Sequence, residues 1–138
     1  MNNIVGIIIV LGLFLIIDLP VILYFNKTMY QTQFTRINKQ EPNSGIRVWL
    51  AGFFTYVLLA IGIYFYIVQP ELDNSSNILN LLLKSVGLGL VIYGVYNGTN
   101  IATINEWGVK EFFIDTIWGS LLYGIIGVLS VYIFKMMN

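Results

Sequence analysis

The chain has 138 residues, 57% hydrophobic and 10% charged, with seven Lys and Arg against seven Asp and Glu and no His or Cys. A soluble domain carries about 25% charged residues, so this composition, with a mean hydropathy of +0.79, reads as a membrane protein rather than a globular domain. Zero net charge offers no basic face for nucleic acid, the missing Cys excludes disulfides, iron–sulfur clusters and thiol catalysis, and the missing His removes the commonest zinc and haem ligand and the neutral-pH proton shuttle.

A helix needs roughly 20 apolar residues to cross the hydrocarbon, and four segments qualify. The expected fold is all-α, a single domain over residues 1–138 built as an integral membrane bundle of four transmembrane helices. The N-terminus, Met1-Asn2-Asn3, has no positive n-region, and no small-residue cleavage site follows, so the first apolar segment is expected to be retained. That segment, about 4–25, contains Asp18 and Pro20 among seventeen Ile, Val, Leu and Phe residues. An Asp near a helix centre costs roughly 3 kcal/mol of insertion free energy, and each strong apolar residue returns about 0.3–0.6 kcal/mol, so insertion still wins. Proline at position 20 removes a backbone donor beside Asp18 and can open a kink there.

The next stretch, 26–45, is the one long polar segment, with Lys27, Arg36 and Lys39 against Glu41, and it is expected to be a loop. A second helix is expected over about 46–68, ending at Gln69-Pro70 because proline disfavours helix in the residue before it. The connection that follows carries Glu71 and Asp73 and no base. A third helix is expected over about 78–104, with Gly98 a place where its regular part can end, and a fourth over about 112–134. Lys27, Arg36, Lys39, Arg47 and Lys110 fall on the side of the first and third connections, against Lys84 and Lys135 on the other. The positive-inside rule then puts the long loop in the cytoplasm and both termini outside. Tyr24, Tyr30, Trp49, Trp107 and Trp118 would collect near the inner interface, and Tyr64, Tyr66 and Tyr132 toward the outer one.

With that orientation, polar residues fall at one depth. Asp18 lies about two turns from the inner end of the first helix, while Tyr93, Asn97, Asn100 and Thr103 form a row on the third. Asp115 and Trp118 occupy the first turns of the fourth. Polar groups in lipid are costly unless protein or water satisfies them, so these residues form a candidate ligand or ion site. The plainer reading is interhelical glue, with an average gain of about 0.6 kcal/mol per hydrogen bond. Gly94 with Gly98, and Ser120 with Gly124, are small-xxx-small pairs that permit close helix approach. No Walker loop, nucleophile elbow or H-E-x-x-H helix is present, and neither a metal site nor a cofactor is implied.

Three blocks stand together: Asp18-Leu19-Pro20, the run from Tyr93 to Thr103 (Y-G-V-Y-N-G-T-N-I-A-T), and Asp115-Thr-Ile-Trp118-Gly119. Over nearly its whole length the chain resembles a family of small predicted four-helix membrane proteins catalogued as domain of unknown function 2177. The family pattern is close to Y-G-x-Y-D-x-T-N-x-A-T, then W, then D-x-x-W-G. This resemblance implies a four-helix integral membrane protein and no established activity. Family members usually carry Asp where this chain has Asn97, and often a Trp near Pro20 where it has Val21 or Ile22. The first departure weakens a proton-coupled mechanism and favours glue or a neutral ligand.

Three functions remain open. A small transporter or ligand-binding membrane protein would use the polar cluster as its site, and transport through four helices would call for a homo-oligomer. A scaffold would bind a partner protein or membrane lipids, with the polar loop as its surface and its basic residues near anionic headgroups. A lipid-modifying enzyme would use Asp18 and Asp115 as an acid–base pair or metal ligands; it ranks last, because no third firm ligand is present.

Overall fold

The computed structural model describes residues 2–39, 44–74 and 76–137; Glu41 of the polar segment lies outside them. Six α-helices follow in chain order. Helix α1 (Asn3–Pro20) starts where Asn2 accepts the Ile4 N–H on its side chain, and runs into a π-helical turn at Val21–Phe25. Then come α2 (Lys27–Asn38), α3 (Ile46–Ile63), a second π-helical turn at Tyr64–Val68, and the short α4 (Gln69–Asp73). Helix α5 (Ile78–Thr103) is capped by the Asn77 side chain, and α6 (Val109–Met137) ends the bundle. Four stretches are long and apolar enough to cross a membrane: Asn3–Phe25, Ile46–Asp73, Ile78–Thr103 and Val109–Met137.

Three boundaries differ from expectation. The second span does not stop before Pro70, because the π-helical turn leads into a new first turn at Gln69, where a missing N–H costs no hydrogen bond. The fourth span is longer at both ends, and Gly98 does not interrupt the third. Most of the expected polar loop is helix α2. Residues 27–38 contain neither Gly nor Pro, and Tyr30, Gln33, Phe34 and Ile37 recur at helical spacing to form one covered face.

Helix α6 is the central element. More than half of its spanning stretch is buried, against a third or less in the others. It packs along α5 and against α1, and α1 packs in turn on α3. The core gathers Val10 and Phe14 of α1, Ala60 and Ile63 of α3, and Leu122, Tyr123, Ile126 and Phe134 of α6. Outward-facing residues such as Ile8, Ile16, Phe54, Leu83, Val91 and Leu121 are exposed, as a lipid-facing surface requires.

The close approach of α5 to α6 is made by Gly89 and Gly119, which the sequence pattern did not single out, together with the Ser120–Gly124 pair, which it did, and not by Gly94 and Gly98. A Cβ on Gly89 would lie 2.7 Å from the Gly119 carbonyl oxygen and 2.9 Å from Ser120 Cα, and one on Gly119 would enter the Tyr93 ring. Gly124 meets Val86 and Leu82 at similar range, and Ser120 is buried on the same face. Gly94 makes only an ordinary contact with Thr116, and Gly98 faces open space. The face of α5 turned to α6 is the one bearing Gly89, Tyr93 and Asn97, and Gly98 lies off it.

At the end away from α2, Glu71 is buried and accepts from Lys84 Nζ at 2.7 Å and from the Ser76 hydroxyl at 2.7 Å. This ties α4 and the following connection to α5.

Candidate functional site

Asp18 is 3% exposed, one turn before the π-helical segment of α1. Its Oδ1 accepts the Trp118 indole N–H at 2.7 Å, and its Oδ2 accepts the Tyr56 hydroxyl at 2.8 Å. One carboxylate thus joins α1, α3 and α6. Trp118 has only a donor to offer, so Oδ1 accepts whatever the protonation state; the Tyr56 hydroxyl can donate or accept.

Asp115 anchors a second chain of contacts. Its Oδ1 accepts the Tyr30 hydroxyl at 2.6 Å and its Oδ2 accepts Asn97 Nδ2, also at 2.6 Å. Asn97 is fully buried; its amide nitrogen also donates to the Tyr93 carbonyl at 3.0 Å, and its Oδ1 accepts Trp107 Nε1 at 3.2 Å. All of its hydrogen-bonding side-chain atoms are engaged, an arrangement that fixes the amide orientation. Burial pushes the Tyr30 phenol above its ordinary value, and the Asp115 and Asp18 charges push it further, so Tyr30 stays a neutral donor.

Between these two clusters lies a cavity of about 460 Å³. Its walls come from Asp18 and Ile22, from Tyr30, Gln33 and Phe34 of α2, from Gly52, Thr55, Tyr56 and Leu59 of α3, from Tyr93, Tyr96 and Asn97 of α5, and from Trp107, Glu111 and Asp115. Helix α2 covers one end. It is held by the Tyr30–Asp115 bond, by Arg36 Nε donating to the Glu106 carbonyl at 3.1 Å, and by ion pairs of Arg36 with Glu111 and Lys39 with Glu106, each at 3.7 Å. Gln33 is 2% exposed, lines the cavity, and its Oε1 meets no donor among the described residues.

The structure thus brings Asp18, Tyr93, Asn97, Asp115 and Trp118 together, Trp118 acting through Asp18 rather than on the cavity wall. Thr103 is exposed and bonds back to the Thr99 carbonyl in its own helix, away from the cluster. Asn100 does not line the cavity. Both continue the sequence row; steps of four and three drift around an α-helix and carry Thr103 off the face, whereas Asn100 keeps the angular range of Tyr93 and Asn97 and stands one turn nearer the end of α5.

Tyr30, Gln33, Tyr56 and Trp107 join the site without having been expected there. Tyr30, Trp107 and Trp118 read from sequence as interface aromatics, yet Trp107 and Trp118 donate to the buried Asn97 and Asp18 and Tyr30 to the half-buried Asp115, while Trp49 and Tyr24 remain exposed. For Tyr30 and Gln33, the apolar period of α2 is the signal that would have placed them. Nothing in the sequence around Tyr56 marks it. Among the described residues no group of three or more His, Cys, Asp or Glu could hold a metal ion.

Fold and cluster together define a four-helix integral membrane protein with a largely apolar cavity, bordered by a hydrogen-bonded polar cluster, near one end of the bundle. Residues 3–132 match the family model described as "Predicted membrane protein (DUF2177)", and the chain belongs to that family. No curated protein and no solved structure matches it.

Proposed function

We propose that this protein binds a small ligand in the cavity beneath α2, as a ligand-binding or transport protein of its membrane. The observation that carries this reading is the convergence of Asp18 and Asp115, from separate helices, on one cavity that is also lined by Gln33, whose enclosed Oε1 has no partner among the described residues. Ligand sites are typically concave, about 300–1,000 Å³, largely apolar and furnished with a few convergent polar groups. Packing glue requires no such space.

A scaffold role has its own support. All four carboxylate oxygens of Asp18 and Asp115 already accept from protein donors, which is how a purely structural cluster satisfies itself. On that reading the outer face of α2 is the partner surface. In either case the basic residues of α2 favour a cytoplasmic position for it, with both termini outside, and the exposed apolar helix faces meet lipid. Transport would take a homo-oligomer.

The chain has no Cys, so single cysteines report without background. Thr55→Cys places a thiol on the cavity wall, and Leu58→Cys places one on an exposed position of the same helix away from it. In membranes, the site reading expects a small water-soluble thiol reagent to modify position 55 and not 58. Equal protection of both would overturn the reading in favour of a dry bundle.

A further inference from the structure

Resting on the ligand-binding reading above, we infer that the cavity takes a small primary or secondary organic ammonium, a cationic amine head on a compact apolar body. Four observations converge on this chemistry. First, the charged groups of the wall are all acidic: the Asp18 and Asp115 carboxylates, with Glu111 beyond them. Each of the two Asp carboxylates is held only by neutral donors, namely Tyr56 and Trp118 for one, and Tyr30 and Asn97 for the other. A carboxylate has about four lone-pair sites, so two accepted hydrogen bonds leave each with capacity for a ligand N–H.

Second, no Lys or Arg bridges either carboxylate among the described residues. Arg36 of α2 instead bonds the Glu106 carbonyl and pairs with Glu111. A carboxyl group buried like Asp18 is ordinarily neutralised or paired, and a cationic guest would supply the pairing that the protein does not.

Third, Gln33 is 2% exposed and lines the cavity, and its side-chain carbonyl oxygen, enclosed by protein, meets no donor among the described residues. An unfilled acceptor calls for a donor, which a protonated amine has and a quaternary ammonium, a carboxylate or a halide lacks. The fourth observation is the apolar wall. Phe34, Tyr93, Tyr96 and Trp107 present ring surface to the space, and aromatic faces attract desolvated cations through their quadrupoles. A hydrated inorganic cation would gain little from such a wall, and among the described residues no three His, Cys, Asp or Glu are grouped so that they could hold a metal ion in place of its water.

The neutral Asn97 amide orients Asp115 without adding a third acidic group beside it, so the two carboxylates carry the recognition. The same ammonium chemistry could arrive as a free amine from water or as the ethanolamine headgroup of a phospholipid entering from the side, and the test separates these.

The experiment measures binding to the full chain in maltoside micelles near neutral pH, by calorimetry and by thermal shift. Its probes are phenethylammonium and its neutral counterpart 2-phenylethanol, and short-chain phosphatidylethanolamine against short-chain phosphatidylglycerol. The expected result is that phenethylammonium binds at least about tenfold tighter than the alcohol, as one added charge-assisted contact requires. Asp18→Asn and Asp115→Asn should each remove that preference, both being near-isosteric changes that keep a hydrogen-bonding partner for Tyr56 and Tyr30. Binding of the ethanolamine lipid alone, with the same dependence on the two Asp, supports the ammonium and assigns it to a headgroup. Equal or tighter binding of the alcohol overturns the ammonium while leaving a ligand cavity in place. Binding of no probe, with a wild-type melting profile, overturns both this inference and the ligand-binding reading it rests on.

Discussion

The Asn97 amide nitrogen stands 2.6 Å from Asp115 Oδ2 and joins α5 to α6, whose glycine-lined faces also meet at Gly89 and Gly119. The same Asp115 holds Tyr30 of α2, and the same Asn97 holds Trp107 of the α5–α6 connection. Two residues therefore fix both the cover and the wall of the cavity.

Removing the anchor of this network should cost more than neutralising it. Asp115→Ala strands the Tyr30 hydroxyl and leaves the Asn97 amide nitrogen with only the Tyr93 carbonyl to bond, a loss of about 1–3 kcal/mol for a buried polar group left short of a partner. Asp115→Asn can still accept from Asn97 and donate to Tyr30. Thermal melts in detergent are expected to rank wild type highest, Asp115→Asn next and Asp115→Ala lowest; equal melting of the two variants would count against the network.

Tyr30→Phe tests the docking of α2 alone. The phenyl ring keeps the packing against the cavity and loses the bond to Asp115, while the bundle core is untouched. Amide exchange is expected to quicken across Lys27–Asn38 and to stay unchanged in the buried part of α6. Uniform exchange throughout would mean that α2 is held by other contacts.

The glycines separate packing from mere helix composition. Gly119→Ala and Gly89→Ala push a methyl group into Tyr93 or into the α6 backbone, with an overpacking cost of about 1–3 kcal/mol. Gly98→Ala meets open space and gains helix propensity, up to about 1 kcal/mol. Melting temperatures should move in opposite directions, and a destabilised Gly98→Ala would contradict the packing described.

At the opposite end, Lys84→Met should destabilise more than Glu71→Gln. The first leaves a carboxylate that is 3% exposed without its cation, although Ser76 still donates to it; the second removes the charge and its need together. Chemical denaturation in mixed micelles reads the difference.

Much of the bundle was legible because lipid imposes a single rule, that an apolar stretch of sufficient length becomes a helix. Asp18, Asn97 and Asp115 stood out for the same reason, as polar residues where apolar ones are expected. The contribution of Tyr30, Tyr56 and Trp107 was not legible, because an aromatic with a polar tip suits a membrane interface and a buried hydrogen bond equally well. Helix α2 was hidden by its polarity: the segment reads as a loop until the spacing of Tyr30, Gln33, Phe34 and Ile37 is taken as one face. Which glycines pack could not be read from G-x-x-x-G, since the motif at Gly94 and Gly98 says nothing of which face its neighbour occupies.

The most direct test of the central claim is an experimental structure of the protein in lipid nanodiscs, at a resolution that shows ordered water and small ligands between Asp18, Gln33 and Asp115. The account predicts an open cavity with ordered density within hydrogen-bond reach of Gln33 Oε1 and at least one of the two carboxylates. A bundle in which α2 has settled inward, Gln33 bonds to protein and the space is closed would contradict it, and the polar ring would then be interhelical glue.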